Sequence, residues 1–388
     1  MRRRFGRRRR RSEDTRSAPI ESHWLGRISE SEAIAVSSLE QLRYEDVPDS
    51  FALTAVGQGA QGEKCLVAVA PKSGGNALLG ALVAAARNGD AARAIAVSPV
   101  WDVASRRRLG ALGATPVPIT AAMVPTPNEV EPTIAREPIF DLAAVPADRV
   151  ADRLMRPADR QLFLRALHGL RGLAAKHGGS VRGVRHSVEL AVLGHRVAVL
   201  RAEGDVFLDI LSPSTATIRL ADKALSEVLD QLEGFIRKRL NDKKFRDGEK
   251  GLRSRLIPTF VEVGRLRYVH RWPLGGSEAD AIDLVGVAED GRPVVAAARQ
   301  RLDLEAVGRI LDGALALEAA LPILLEGAEA PVQLTAPRLL VAAEEIDRAA
   351  ECVLGHLALD TACFDIEKRY SGLMLREREI AWSAPLLE

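Results

Sequence analysis

At 388 residues, with 47% hydrophobic and 27% charged side chains, the chain is long enough for about two to three domains with buried cores. The net charge of +2 is unevenly spread, because residues 1–11, MRRRFGRRRRR, hold eight Arg and no acid, which leaves a mildly acidic remainder. Three cysteines, Cys65, Cys352 and Cys363, are too few for a disulfide framework and lack zinc-ligand spacing, so a reducing, cytoplasmic setting is expected. No apolar run is long and pure enough for a membrane span, since Leu315 to Leu325 is interrupted by Glu318.

In chain order, residues 1–22 read as a disordered basic tail, because a block of like charges repels itself. No apolar core follows it, so it is not a secretory signal. Ser31 to Leu42 reads as an amphipathic helix with Ser29 or Ser31 as its cap. Phe51 to Gly75 reads as strand, Gly-rich turn, strand, with a helix over Asn76 to Arg87 behind it. A strand over Ala94 to Val97, a helix over Asp102 to Leu112 and a strand over Val117 to Thr120 complete a first unit, residues 23–123. The run Gly57, Gly59, Gly62 fits GxGxxG, but no helix opens at its end, so it is read as a hairpin turn.

Residues 124–158 are Pro-rich and aperiodic and read as a linker. A small α+β insert is expected over 159–221, with a helix from Ala158 to Lys176 ended by Gly178 and Gly179. Three short antiparallel strands follow, Ser187 to Leu193, Arg196 to Ala202 and Val206 to Leu211. His177, His186 and His195 recur nine residues apart, which is not the convergence a metal needs. A long helix from Asp222 to Leu240 then opens the last unit, residues 222–388.

Ala281 to Arg301 is the most informative stretch. Apolar runs Ile282 to Val287 and Pro293 to Ala298 flank a Glu-Asp-Gly turn, and a helix-periodic segment runs from Asp303 to Ala319. This hairpin and helix resembles the centre of the PD-(D/E)XK restriction-endonuclease-like superfamily, and most of all the nuclease domain of NucS-type endonucleases. That resemblance implies an Asp on the first strand and a Glu-x-Lys on the second. Asp283 matches the Asp, while Ala297 stands for the Glu and Arg299 for the Lys. The methyl of Ala297 is no Mg²⁺ ligand, and Arg299 cannot lose its proton to act as a base. The resemblance therefore implies a nuclease scaffold without its chemistry. Cleavage would require a migrated carboxylate, with Glu249, Glu278 or Asp280 joining Asp283 on Mg²⁺.

The first unit repeats the layout. Val56-Gly57 with Gly62 has the spacing of Val285-Gly286 with Gly291, and Leu66 to Ala68 matches Val294 to Ala296 if one residue is inserted. Thr54 stands in the place of Asp283. The expected fold is α/β: two restriction-endonuclease-like mixed-sheet units flanked by helices, in tandem, with the α+β insert between them. Outside the tail the densest basic run holds Arg237, Lys238, Arg239, Lys243, Lys244 and Arg246, the candidate nucleic-acid contacts. The function expected is a non-catalytic nuclease-fold protein that binds DNA, RNA or a protein partner, with no cofactor and no small-molecule substrate. The alternatives are the Mg²⁺-dependent endonuclease with the migrated carboxylate, and a structural subunit tethered by its basic tail.

Overall fold

The computed structural model describes residues 23–32, 34–124, 147–184, 187–211, 215–271, 282–318, 321, 325, 331–333, 335–370 and 372–380. The Arg-rich tail, most of the expected linker, His186, Glu278 and Asp280 lie outside them. The chain divides into two units, one of residues 1–101 with 116–130 and one of residues 102–115 with 131–388.

The first unit runs through α1 (His23–Ser29), β1 (Val36–Leu42), the hairpin β2 (Leu53–Gly59) and β3 (Lys64–Val69), α2 (Gly74–Arg87), β4 (Arg93–Val97) and β5 (Ile119–Ala122). Its strands lie in the order β1-β2-β3-β4-β5. The first two pairings are antiparallel and the last two parallel. The change of sense follows from α2, which carries the chain back along the sheet between β3 and β4. That helix starts where the Ser73 side chain accepts the Asn76 N–H at 3.3 Å.

One expected helix is a strand. Ser31 to Leu42 was expected as an amphipathic helix, yet Val36–Leu42 pairs with β2 as β1. The cause is a bulge between Ser37 and Glu40, whose register shift turns Leu39 to the same core as Ile34 and Val36. An extra residue in a strand thus imitates a helical period.

The second unit includes α3 (Val103–Gly110), contributed by residues 102–115. Further on, α4 (Pro157–His177) ends at Gly178 in the left-handed region, φ 63°, as its Gly-Gly pair requires. Five strands follow: β6 (Ser180–Val184), β7 (Ser187–Val192), β8 (His195–Glu203), β9 (Asp205–Ile210) and β10 (Ala216–Arg219). They form an antiparallel meander ordered β10-β9-β8-β7-β6, so the three expected strands gain a neighbour at each edge. α5 (Leu225–Asn241) joins α4 on one face of this sheet, where Phe163, Leu170, Leu232 and Ile236 share a core with Leu190, Leu200 and Leu208. On the opposite face Glu189 lies between Arg182 and Arg196, and Arg201 pairs with Asp209.

The rest is a second mixed sheet with its helices. α6 (Lys243–Arg246) and α7 (Glu249–Val263) lead into β11 (Leu266–Arg271), β12 (Leu284–Ala288), β13 (Pro293–Leu302) and α8 (Leu304–Glu318). β14 (Arg338–Ile346), α9 (Arg348–Gly355), β15 (Thr361–Arg369) and β16 (Gly372–Arg378) complete it. Strands β11 to β16 lie in sequence order, the first two pairings antiparallel, the next two parallel and the last antiparallel. Strands β11 to β15 thus have the order and senses of β1 to β5.

The agreement reaches single residues. Val56 faces Leu66 and Val285 faces Val295, so the two hairpins share one register without the insertion that alignment by residue type demanded. In each sheet the strand before the hairpin is bulged, and a glycine of the hairpin's first strand lies beneath it. A Cβ on Gly57 would lie 2.7 Å from the Ser37 carbonyl oxygen, and one on Gly286 2.7 Å from that of Tyr268. Among the described residues no helix is long and apolar enough to cross a membrane.

Candidate functional site

The first residue of interest lies at the mouth of β12. The Asp283 N–H bonds to the Ala296 carbonyl at 2.8 Å, which extends the β12–β13 ladder by one residue and turns the carboxylate towards β13 and α7. Asp283 is buried, and both of its carboxylate oxygens are engaged. Oδ1 accepts from Arg253 Nε of α7 at 2.5 Å. Oδ2 accepts from the backbone N–H of Ala298 at 2.7 Å and lies 3.5 Å from Arg299 Nη1.

Arg299 is buried as well, and its Nη1 also donates to the Ala298 carbonyl at 2.5 Å. Burial pushes its guanidinium down from the ordinary value, and the Asp283 carboxylate opposes that shift. Glu249, at the first turn of α7, brings Oε1 to 3.9 Å from Arg299 Nε. Two of the carboxylates singled out from sequence therefore meet at one place, with a guanidinium between them.

A divalent cation fits this arrangement poorly. Mg²⁺ seeks carboxylate oxygens free to enter an octahedral shell, whereas those of Asp283 already take a guanidinium and a backbone N–H. Ala297 contributes no donor atom, and Glu249 faces a cation already in place. Among the described residues no group of three His, Cys, Asp or Glu side chains converges. The arrangement can fix β12, β13 and α7 to one another.

Arg253 is the participant that sequence reading missed in this role. It lies one helical turn beyond Glu249, on the same face of α7. In the first unit Thr54 holds the position of Asp283. Its hydroxyl donates to the Leu42 carbonyl at 2.8 Å, and Thr54 faces Ala68 in the ladder, so no charge is brought there.

The six candidate nucleic-acid contacts divide by their partners. Arg239 is a packing residue: its guanidinium stacks 4.6 Å from the Phe245 centroid and 5.0 Å from that of Phe235, and donates to the Leu211 carbonyl at 2.9 Å. Burial pushes its pKa down. Arg237 pairs with Glu233 at 2.6 Å, and Arg246 with Asp247 at 3.2 Å. Lys238, Lys243 and Lys244 are exposed and form no ion pair among the described residues. His177 lies 3.3 Å from Glu233, and His195 packs edge-on to Phe245 with centroids 4.9 Å apart, so each of these histidines has a structural neighbour.

No protein-family model matches the chain, and no curated protein does. Among solved structures the chain is similar to EndoMS in its apo form, at 14% identity and a TM-score of 0.19, over 49% of this chain and 78% of that one. It is also similar to a repair endonuclease from Pyrococcus abyssi, at 14% identity and a TM-score of 0.18, over 51% of this chain and 94% of that one. These superpositions are loose.

Proposed function

We propose that the chain is a nuclease-like scaffold that binds nucleic acid or a protein partner and does not cut. In this reading residues 23–123 and 222–388 hold two degenerate copies of one restriction-endonuclease-like unit, with an α+β insert over 159–221 whose sheet also takes α5 from the second stretch. Three features support the duplication: the common order and senses of β1–β5 and β11–β15, the common hairpin register, and the paired bulge glycines Gly57 and Gly286. The binding surface is the basic face of α5 and α6, where Lys238, Lys243 and Lys244 are exposed.

The observation that carries the silent reading is the engagement of Asp283 by Arg253 and Ala298. A carboxylate held in this way must break a charge-assisted hydrogen bond before it can ligate a metal. Loss of metal-centred stabilisation costs several kcal/mol of barrier, on the order of three decades in rate. Purified protein with Mg²⁺ or Mn²⁺ is expected to leave single-stranded, duplex and mismatched DNA intact, and Asp283→Ala to change nothing. Cleavage that vanishes in Asp283→Ala would overturn the reading in favour of a working nuclease, with Glu249 as the migrated carboxylate.

A further inference from the structure

The junction of α5, α6 and α7 carries more than its lysines, because the β7–β8 turn is packed against it. Gly194, in the left-handed region at φ 69°, brings that turn so close to α7 that a Cβ would lie 2.9 Å from the Lys250 carbonyl oxygen. His195 follows and lies against Phe245 of α6 with its ring plane at 89° to the phenyl ring. The acids of this segment are occupied. Asp242 accepts the Lys244 N–H at 2.9 Å, Asp247 pairs with Arg246 at 3.2 Å, and Glu249 lies 3.9 Å from Arg299. Lys243, Lys244 and Lys250 are exposed and form no ion pair among the described residues.

We propose that the phosphodiester backbone of a nucleic acid binds across α6, the first turn of α7 and the β7–β8 turn, with Lys243, Lys244 and Lys250 on its phosphates and His195 beside them, and that this surface reads charge and not bases. The inference rests on the scaffold reading above and commits it to one partner. Charge complementarity supplies the attraction. The indifference to sequence follows from Arg239, whose guanidinium already stacks on both Phe245 and Phe235, so these rings act as its support and not as a platform for bases. Burial above all, and then the cations Lys250 of α7 and Arg239 of α5, hold the His195 pKa below the ordinary value. Phosphates bound beside it would oppose that field and raise it.

The test uses the full chain with a mixed-sequence DNA duplex, its separated strand, and poly-glutamate as a non-nucleic polyanion. Lys250→Ala and the pair Lys243→Ala/Lys244→Ala should each weaken duplex binding and flatten its log–log salt dependence by roughly one unit per lysine. Changing base composition should leave the affinity unchanged, and the titration midpoint of the His195 imidazole resonance should rise on binding. If the chain binds DNA but Lys250→Ala and the His195 midpoint do not respond, this inference falls and the scaffold reading stands. If composition alters the affinity, the claim of indifference falls. If poly-glutamate binds as tightly as DNA, the partner is an acidic protein. If neither DNA form binds, the nucleic-acid branch of the scaffold reading fails with it.

Discussion

Asp283 shows how one buried carboxylate ties three elements together. Its pairing with Arg253 and its bond from Ala298 satisfy a charge that would be costly to bury alone. Arg253→Met removes the principal cation and leaves Asp283 with the backbone N–H and the longer Arg299 contact. The expected loss is about 3 kcal/mol of unfolding free energy by denaturant titration, the lower end of what breaking a buried pair costs, since Asp283 keeps two other donors. The double variant Arg253→Met/Asp283→Leu should regain part of it, because it removes the stranded carboxylate, but not all, since the buried Arg299 guanidinium and the Ala298 N–H lose their acceptor. A loss in the double variant as large as in the single one would mean that Arg253 acts through packing of its aliphatic stem.

At the scale of elements, the α4–α5 pairing and the β12–β13 turn make separate predictions. Glu233 of α5 receives Lys176 at 2.7 Å and Arg237 at 2.6 Å, and these bonds hold its carboxyl down at about 2, against an ordinary 4.5. The unfolded state therefore binds the proton more readily. The stabilisation is complete above about 4.5 and is lost as the pH falls towards about 2. The Tm difference between the parent chain and Glu233→Gln should accordingly be largest near neutrality and close as pH falls through that window. The turn glycines offer a graded comparison. Gly291 has φ 85° and a Cβ there would lie 2.6 Å from the Pro331 carbonyl oxygen, whereas Gly62 has φ 78° and open space around it. Gly62→Ala should cost roughly 1 kcal/mol from backbone strain alone, and Gly291→Ala clearly more. Equal losses in denaturant titration would show that strain dominates at both positions.

At the scale of the molecule, residues 102–115 leave the first unit's stretch of chain and belong to the second. Within that second unit Arg108 of α3 bonds Asp312 of α8 through Nε and Nη2 at 2.6 and 2.5 Å, with side-chain exposures of 7% and 13%. Gly308 makes room for the guanidinium, since a Cβ there would come to 3.0 Å from Nη2. Arg108→Ala is expected to destabilise the chain by about 3 kcal/mol, because it strands the Asp312 carboxylate. Asp312→Asn, which keeps a hydrogen-bond acceptor, should cost less. A denaturation midpoint unmoved by Arg108→Ala would show that α3 is held by its apolar contacts alone.

Much of the architecture was legible in the sequence, because hairpins and helices that bury one face must alternate polar and apolar residues at fixed periods. The apolar period of α8 follows from that rule, while the β2–β3 and β12–β13 hairpins were marked by apolar runs about a glycine turn and the end of α4 by Gly178. Asp283, Ala297 and Arg299 were legible for another reason: side-chain chemistry is carried by residue type, so the absence of a second carboxylate on β13 needs no coordinates. What the sequence could not determine was pairing over distance. The bulge in β1 disguised a strand as a helical turn, and the short edge strands β6 and β10 carry too few residues for a period. The role of Arg253 depends on α7 lying across the mouth of β12, thirty residues away in the chain. Local spacing encodes the elements, but which charge neutralises Asp283 is decided only when tertiary packing brings those elements together.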